Sequence, residues 1–151
     1  MPLRVQIVTA EREVFSDEAV DMVVAPGTDG VVGILPKHAP LLTTLQPGLV
    51  RIKRGGTEQA MVVGGGFLQV ARDKVLILAD TAEREDEIDE ARAEEARRRA
   101  RETLQEAIVS GQRLQAEAAR FALQRAEARV HLARRRHGTR GFTPPPGTTE
   151  P

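Results

Sequence analysis

Four arginines on two neighbouring stretches are placed to act together. Arg92 and Arg99 are two helical turns apart, and Arg125 and Arg129 are one turn apart. Guanidinium groups are permanently charged and present forked donors. Several of them converging would grip a polyanion such as a nucleoside triphosphate. Asp89 and Glu83 are the nearby acids. A second reading needs no ligand. Glu94→Arg98 and Glu95→Arg99 stand in the favourable order for helix ion pairs and would form a solvated lattice. The residues alone favour that lattice. Arg92 argues the other way, because it falls on the stripe of Ile88 and Ala96, and a charge on a buried stripe needs a partner.

Other chemistry is missing from the sequence. There is no Walker-type loop. Gly64-Gly65-Gly66 runs into Phe67-Leu68, which reads as a bulge or tight bend rather than a phosphate cradle. None of His38, His131 and His137 stands at metal-ligand spacing from another His or a Cys. With no cysteine there is no thiolate nucleophile, and no GxSxG elbow is present. The expectation is a chain that is not an enzyme, with no metal and no required cofactor. His38 lies in the Pro-framed stretch Gly33–Leu42. It reads equally as a loop histidine capping backbone groups and as a contact residue on an exposed loop.

Two kinds of element must position these residues. Up to Asp80 the chain is rich in Val, Leu, Ile and Gly; beyond it, in Ala, Glu and Arg. Leu3, Val5 and Ile7 alternate with polar residues, as do Val20, Met22 and Val24 before Pro26-Gly27. Leu49–Lys53 and Gln59–Val63 flank Gly55-Gly56, a hairpin signal. Phe67–Ala71 turns through Arg72-Asp73 into Val75–Leu78. Such spacing predicts an antiparallel β-sandwich or barrel over residues 1–82, taken here as a sandwich. Residues 83–137 predict an antiparallel two-helix hairpin. Its first helix spans Glu87–Val109, capped by Asp86 and stopped by Ser110-Gly111. Its second spans Arg113–Arg136, stopped by Gly138. The expected apolar stripes are thin: Ile88, Ala96, Ala100, Leu104, Ala107 and Ile108, facing Leu114, Ala118, Phe121, Ala122 and Val130. Alanine burial contributes little, so the hairpin is expected to be loosely held. Residues 138–151, rich in Pro, Gly and Thr, are expected to be a disordered tail.

Composition narrows the function classes. Among 151 residues, Lys plus Arg equals Asp plus Glu at 22 each, which argues against general nucleic-acid binding. Aromatic residues are 3%, too few for a base-stacking face. No apolar run is long enough to span a bilayer, and Met1–Glu13 has no long apolar segment like a signal peptide's. The expectation is a soluble cytoplasmic protein that meets a membrane only through partners.

Three segments carry a resemblance: GILPKHAPLLTTLQPGLVRI (Gly33–Ile52), VVGGGFLQV (Val62–Val70) and LADTAEREDEIDEARA (Leu78–Ala93). Over about residues 3–136 the chain resembles the epsilon subunit of bacterial F-type ATP synthases. The resemblance implies a central-stalk rotor subunit of a proton-translocating synthase, peripheral to the inner membrane on its cytoplasmic side. Its implied partners are the gamma subunit, the c-ring and the alpha/beta catalytic head. The sandwich is implied to dock on gamma and the c-ring, and the hairpin to change shape and impede ATP hydrolysis when extended. Some members bind ATP as a regulatory ligand through an Ile/Leu-Asp-x-x-Arg-Ala motif, which Ile88, Asp89, Arg92 and Ala93 match. Glu83, Arg99, Arg125 and Arg129 fall on further matching positions, while Ala118 stands where the family has an arginine. His38 matches a residue near the rotor interface and Pro40 frames the same loop. Val31 replaces an acidic family position there. The competing expectation is a stand-alone ATP-sensing module without rotor partners.

Overall fold

The computed structural model describes residues 1–141, and side chains through residue 135. Eight strands come first: β1 (Leu3–Val8), β2 (Glu13–Val20), β3 (Met22–Gly27), β4 (Gly30–Ile34), β5 (Leu41–Arg54), β6 (Thr57–Ala71), β7 (Lys74–Ala79) and β8 (Ala82–Arg84). They pair in the order β2-β1-β7-β6-β5-β3-β4, with β8 beside β6. Every pairing is antiparallel except β1 with β7, whose residues lie far apart in sequence and meet side by side.

The strand alternation fills one core. Leu3, Val5, Ile7, Val23, Ile34, Val50, Met61, Val63, Leu68, Val70, Val75 and Ile77 all point into it. Segments read separately join into longer strands, and the bend read at Gly64–Gly66 is present. Gln59–Val63 and Phe67–Ala71 form one strand, β6, and Leu49–Lys53 is the second half of a longer strand, β5. Gly64–Gly66 bends β6 without ending it. Gly65 and Gly66 take φ of +106° and +138°, and Pro47 lies opposite Gly64, so the missing proline N–H falls at the bend. A break also falls where continuity was read. Asp21 parts Val20 from Met22: its backbone N–H donates to the Lys53 carbonyl and its side chain accepts from Gly55 N–H.

The hairpin follows a short 3-10 turn at Glu85–Glu87. Helix α1 runs Glu90–Val109 and helix α2 runs Arg113–Gly141. The expected start at Glu87 and cap at Asp86 are corrected. Ile88 and Asp89 are extended, and the Asp89 side chain accepts the Arg92 N–H. The Glu87 carboxylate is engaged in the preceding turn, and Ile88 is drawn into an apolar cluster, so the chain turns helical only afterwards. Ser110 and Gly111 end α1 as expected, Gly111 at φ +70°. Helix α2 passes through Gly138. A glycine costs a helix about 1 kcal/mol and is not by itself a stop. The expected tail lies outside the described residues from 142 on.

The hairpin seam is mostly alanine and matches the expected stripes at Ala100, Ala107 and Val130 but not at their other positions. Ala93, Ala100 and Ala107 of α1 are buried against Ala116, Ala119, Ala126 and Val130 of α2. Leu114, Phe121 and Ile108, expected inside, are exposed at 82%, 52% and 57%. Small side chains let helix axes approach closely, and bulkier ones are turned out of so tight a seam. Helix α2 has a second stripe, Leu114–Ala118–Phe121–Arg125–Ala128–Leu132, at helical spacing. Its lower end docks on the sandwich. Leu132, Ala128 and Ala133 pack with Leu49, Ala60, Val62 and Ile88 as a second core. The upper end of that stripe is exposed. The hairpin is therefore seated on the sandwich at its base through this second core.

Candidate functional site

The cleft of interest lies where α1 begins and α2 crosses β8. It encloses about 230 Å³ and is lined by Glu83, Glu87, Ile88, Asp89, Arg92, Ala93 and Arg129. Strand alternation on β6 sets this geometry. Met61 and Val63 point into the sandwich, so Ala60, Val62 and Gly64 face α2. That registry places Arg129 beside Glu83, and the two form an ion pair. The Arg129 Nε is buried without a hydrogen-bond partner. Such a donor normally has an acceptor, and leaving it unpaired costs about 1–3 kcal/mol.

The other sequence-selected residues fall at different distances from this centre. Arg92 is not on a buried stripe: its side chain is 90% exposed, and its Nε stands 4.0 Å from Asp89 Oδ2. The buried residue beside it is Ala93. Ala100 and Ala107 are buried as expected, but in the first turns of α1 the buried position is Ala93 and not Arg92 or Ala96. Arg99 is exposed and donates to Glu95 at 3.2 Å, away from the cleft. Arg125 does not line the cleft either. Its stem lies against Gly64, where an added Cβ would stand 3.1 Å from Arg125 Cδ and collide with Thr81 Oγ1. Of the expected lattice, Glu95–Arg99 forms. Glu94 pairs with Arg97 and with Arg134 of α2 instead of Arg98. The structure thus brings together Glu83, Ile88, Asp89, Arg92, Ala93 and Arg129, and leaves Arg99 and Arg125 outside.

Sequence reading missed one member of the cleft. Glu87 accepts hydrogen bonds from Arg12 and Arg84, and the Arg12 bond is the main reason its carboxyl is lowered to about 2. Arg12 is 75 residues away in sequence, so no local spacing could have shown the pair. Glu87 is thus held ionised and paired with arginines outside the cleft lining, and the other charges of the lining are Glu83 and Asp89 beside Arg92 and Arg129.

A second surface lies on the sandwich. Phe67 pairs with Leu78 across β6 and β7, and with Thr44 across β5. Leu42 is one row away on the same face. These three large apolar side chains are at least half exposed. The β4–β5 loop lies nearby in sequence. There His38 Nδ1 donates to the Ala39 carbonyl at 2.6 Å and Pro40 is exposed. On β4, Val31 is 75% exposed. His38 thus makes the backbone contact of the first reading, within the exposed loop of the second. Among the described residues there is no cluster able to hold a metal ion and no helix long and apolar enough to cross a membrane.

These features define a β-sandwich carrying a docked helical hairpin, with one small charged cleft at their junction and one apolar sheet face open to solvent. Comparison with known proteins places that architecture. Residues 2–85 match the family described as "ATP synthase, Delta/Epsilon chain, beta-sandwich domain", and residues 86–134 match "ATP synthase, Delta/Epsilon chain, long alpha-helix domain". The ATP synthase epsilon chain of Herpetosiphon aurantiacus is 48% identical over 90% of this chain and 97% of its own length. That of Dehalococcoides mccartyi is 50% identical over 89% of this chain and 94% of its own length. A chain of the Euglena gracilis mitochondrial ATP synthase shares the fold. Its TM-score is 0.72 at 23% identity, covering 84% of this chain and 78% of that one. The chain belongs to the delta/epsilon family of ATP synthase subunits.

Proposed function

We propose that this chain is a non-catalytic central-stalk subunit of a proton-translocating F-type ATP synthase, and that its hairpin restrains ATP hydrolysis under control of bound ATP. One observation carries the regulatory half: the unpartnered, buried Arg129 Nε in a cleft that also holds Ile88, Asp89, Arg92 and Ala93. A phosphate oxygen is the acceptor that donor lacks. At about 230 Å³ the cleft is smaller than a typical ligand site, so it would take part of a nucleotide and leave the rest in solvent. Arg92, reaching freely into water, can swing onto that outer part, and Arg99 and Arg125 are within a helix repositioning of it.

The docking half is supported by the open face of Leu42, Phe67 and Leu78. A contiguous apolar face on a small soluble domain marks an interaction site. The gamma subunit is the partner proposed for it, with Val31, His38 and Pro40 meeting the c-ring and the alpha/beta head receiving the extended hairpin. Membrane contact then comes only through the complex, on the cytoplasmic side. This face also separates the proposal from a stand-alone ATP sensor, which has no use for it.

Calorimetric titration of the full chain with ATP, alongside Arg92→Ala, tests the regulatory half. Saturable binding that is weakened in the variant supports it; no heat at millimolar ATP removes it. Co-purification with gamma, lost in Phe67→Glu, tests the docking half independently.

A further inference from the structure

A second charged cluster stands beside the cleft and has a different task. Arg12, in the turn between β1 and β2, donates from both Nη atoms to the two carboxylate oxygens of Glu87, each at 2.8 Å. The same carboxylate accepts the Arg84 backbone N–H at 2.9 Å and Arg84 Nη2 at 3.2 Å. Arg12 itself is held in place. Thr9 N–H donates to the Arg12 carbonyl at 2.9 Å, and Thr9 Oγ1 accepts from the N–H groups of Glu11 and Arg12, both at 3.3 Å.

Past Glu87 the pattern changes. Ile88 is extended at φ −88°, ψ 125°, and Asp89 at φ −91°, ψ 113°. Helix α1 then starts with its own cap, the Asp89 carboxylate on Arg92 N–H at 3.1 Å. One side of these two residues is tied to the sandwich by side-chain bonds; the other is a helix that starts on its own cap and meets the sandwich through the apolar packing of Ile88 and Ala93.

We propose that Arg12 is a clasp that fixes the 84–87 segment to the β-sandwich and so makes Ile88–Asp89 the pivot on which the hairpin is set. A two-pronged guanidinium–carboxylate pair defines direction as well as distance, which a lysine at the same place cannot do. Two extended residues between fixed ends are where a small backbone rotation is converted into a large swing of a long helix. Arg12 touches no part of the proposed nucleotide. It is a positioning residue, holding the turn from which Ile88 and Asp89 enter the cleft. The clasp does not depend on the nucleotide reading, because its effect is present in the chain without ligand.

Residue-resolved amide hydrogen exchange on the full chain tests this, comparing wild type with Arg12→Gln, Glu87→Gln, the double variant and Arg12→Lys. The single Gln variants should each speed exchange at the Arg84 and Ile88 amides about fivefold. They should leave Ala93 in α1 and Leu68 in β6 within about twofold of wild type. The double variant should be no faster than either single one, and Arg12→Lys should rescue only in part. Unchanged exchange at Arg84 and Ile88 overturns the clasp. An equal rise at Leu68 also overturns it, reducing Arg12 to general stability. A rise at Ala93 matching that at Arg84 places the pivot elsewhere and overturns the second half of the claim.

Discussion

Arg129 of α2 pairs with Glu83 of β8 across the seam between hairpin and sandwich, while its Nε, facing the same junction, is buried with no acceptor. The pair joins the two halves of the chain at the point where the Ile88–Ala93 motif begins. Any anion entering the cleft competes with Glu83 for this guanidinium and can satisfy the idle donor. If the cleft binds an anion as proposed, ligand binding and hairpin seating share one residue.

On the proposed reading, that sharing makes ATP a stabiliser of the seated hairpin. At a hundred times its dissociation constant, a ligand confined to the folded form adds about 2.7 kcal/mol. For a chain of this size that is several degrees in Tm. Scanning fluorimetry should show this rise for wild type and none for Arg129→Ala. A rise of equal size in the variant would mean that ATP binds elsewhere.

The alanine seam makes a prediction opposite to the one hydrophobicity suggests. Ala100 and Ala126 are buried between the helices, whereas Phe121 is half exposed. Enlarging Ala126 to Leu should cost about 1–3 kcal/mol by forcing the helices apart. Phe121→Ala should stay within about 0.5 kcal/mol. Urea titrations followed by helical circular dichroism compare the two directly. A larger loss for Phe121→Ala would place Phe121 in the seam after all.

This contrast shows what could be read from the residues alone. The strands announced themselves, because Leu3, Val5 and Ile7 or Leu68 and Val70 alternate with polar neighbours and that period has one meaning. The change of character near residue 81 and the Ser110-Gly111 turn were equally plain. The helical stripes were legible only in part, at Ile88, Ala100, Ala107 and Val130. Where half the apolar positions are alanine, a search for bulk selects Leu114 and Phe121, and the close-packed seam of Ala116, Ala119 and Ala126 passes unnoticed. Reading Ile88 and Ala96 as one stripe put Arg92 inside when it is almost wholly exposed, the buried neighbour being Ala93. Of the cleft, the motif residues and Arg129 were legible from spacing and resemblance. Glu87 and its partner Arg12 were not, because their meeting depends on how β1 lies beside β7.

The second core predicts where the hairpin is held. Leu132 is fully buried against the outer face of β5 and β6. Truncation to Ala should remove about 2–5 kcal/mol of seating. The damage should be local, since the sandwich core lies on the other face of β6. Limited proteolysis should cut Leu132→Ala within α2 many times faster than wild type, with the strands left intact. Equal protection in both proteins would show that ion pairs such as Arg135 with Glu58 suffice to seat the helix.

Acid should release the clasp in a defined window. Hydrogen bonds, first of all from Arg12, lower the Glu87 carboxyl from an ordinary 4.5 to about 2. A depressed carboxyl contributes stability above its unfolded value and loses it as pH falls toward the folded one. The pair is partly exposed, so solvent screening makes its contribution much smaller than the shift alone would imply. Glu87→Gln lacks this contribution at every pH, and the remaining carboxylates titrate alike in both proteins. The stability gap between wild type and variant should therefore be constant from pH 7 to 5, shrink between about 4.5 and 2, and close below that. Urea midpoints taken across this range measure it. A gap that does not change with pH would show that Glu87 acts through packing rather than charge, and that Arg12 gains nothing from its carboxylate.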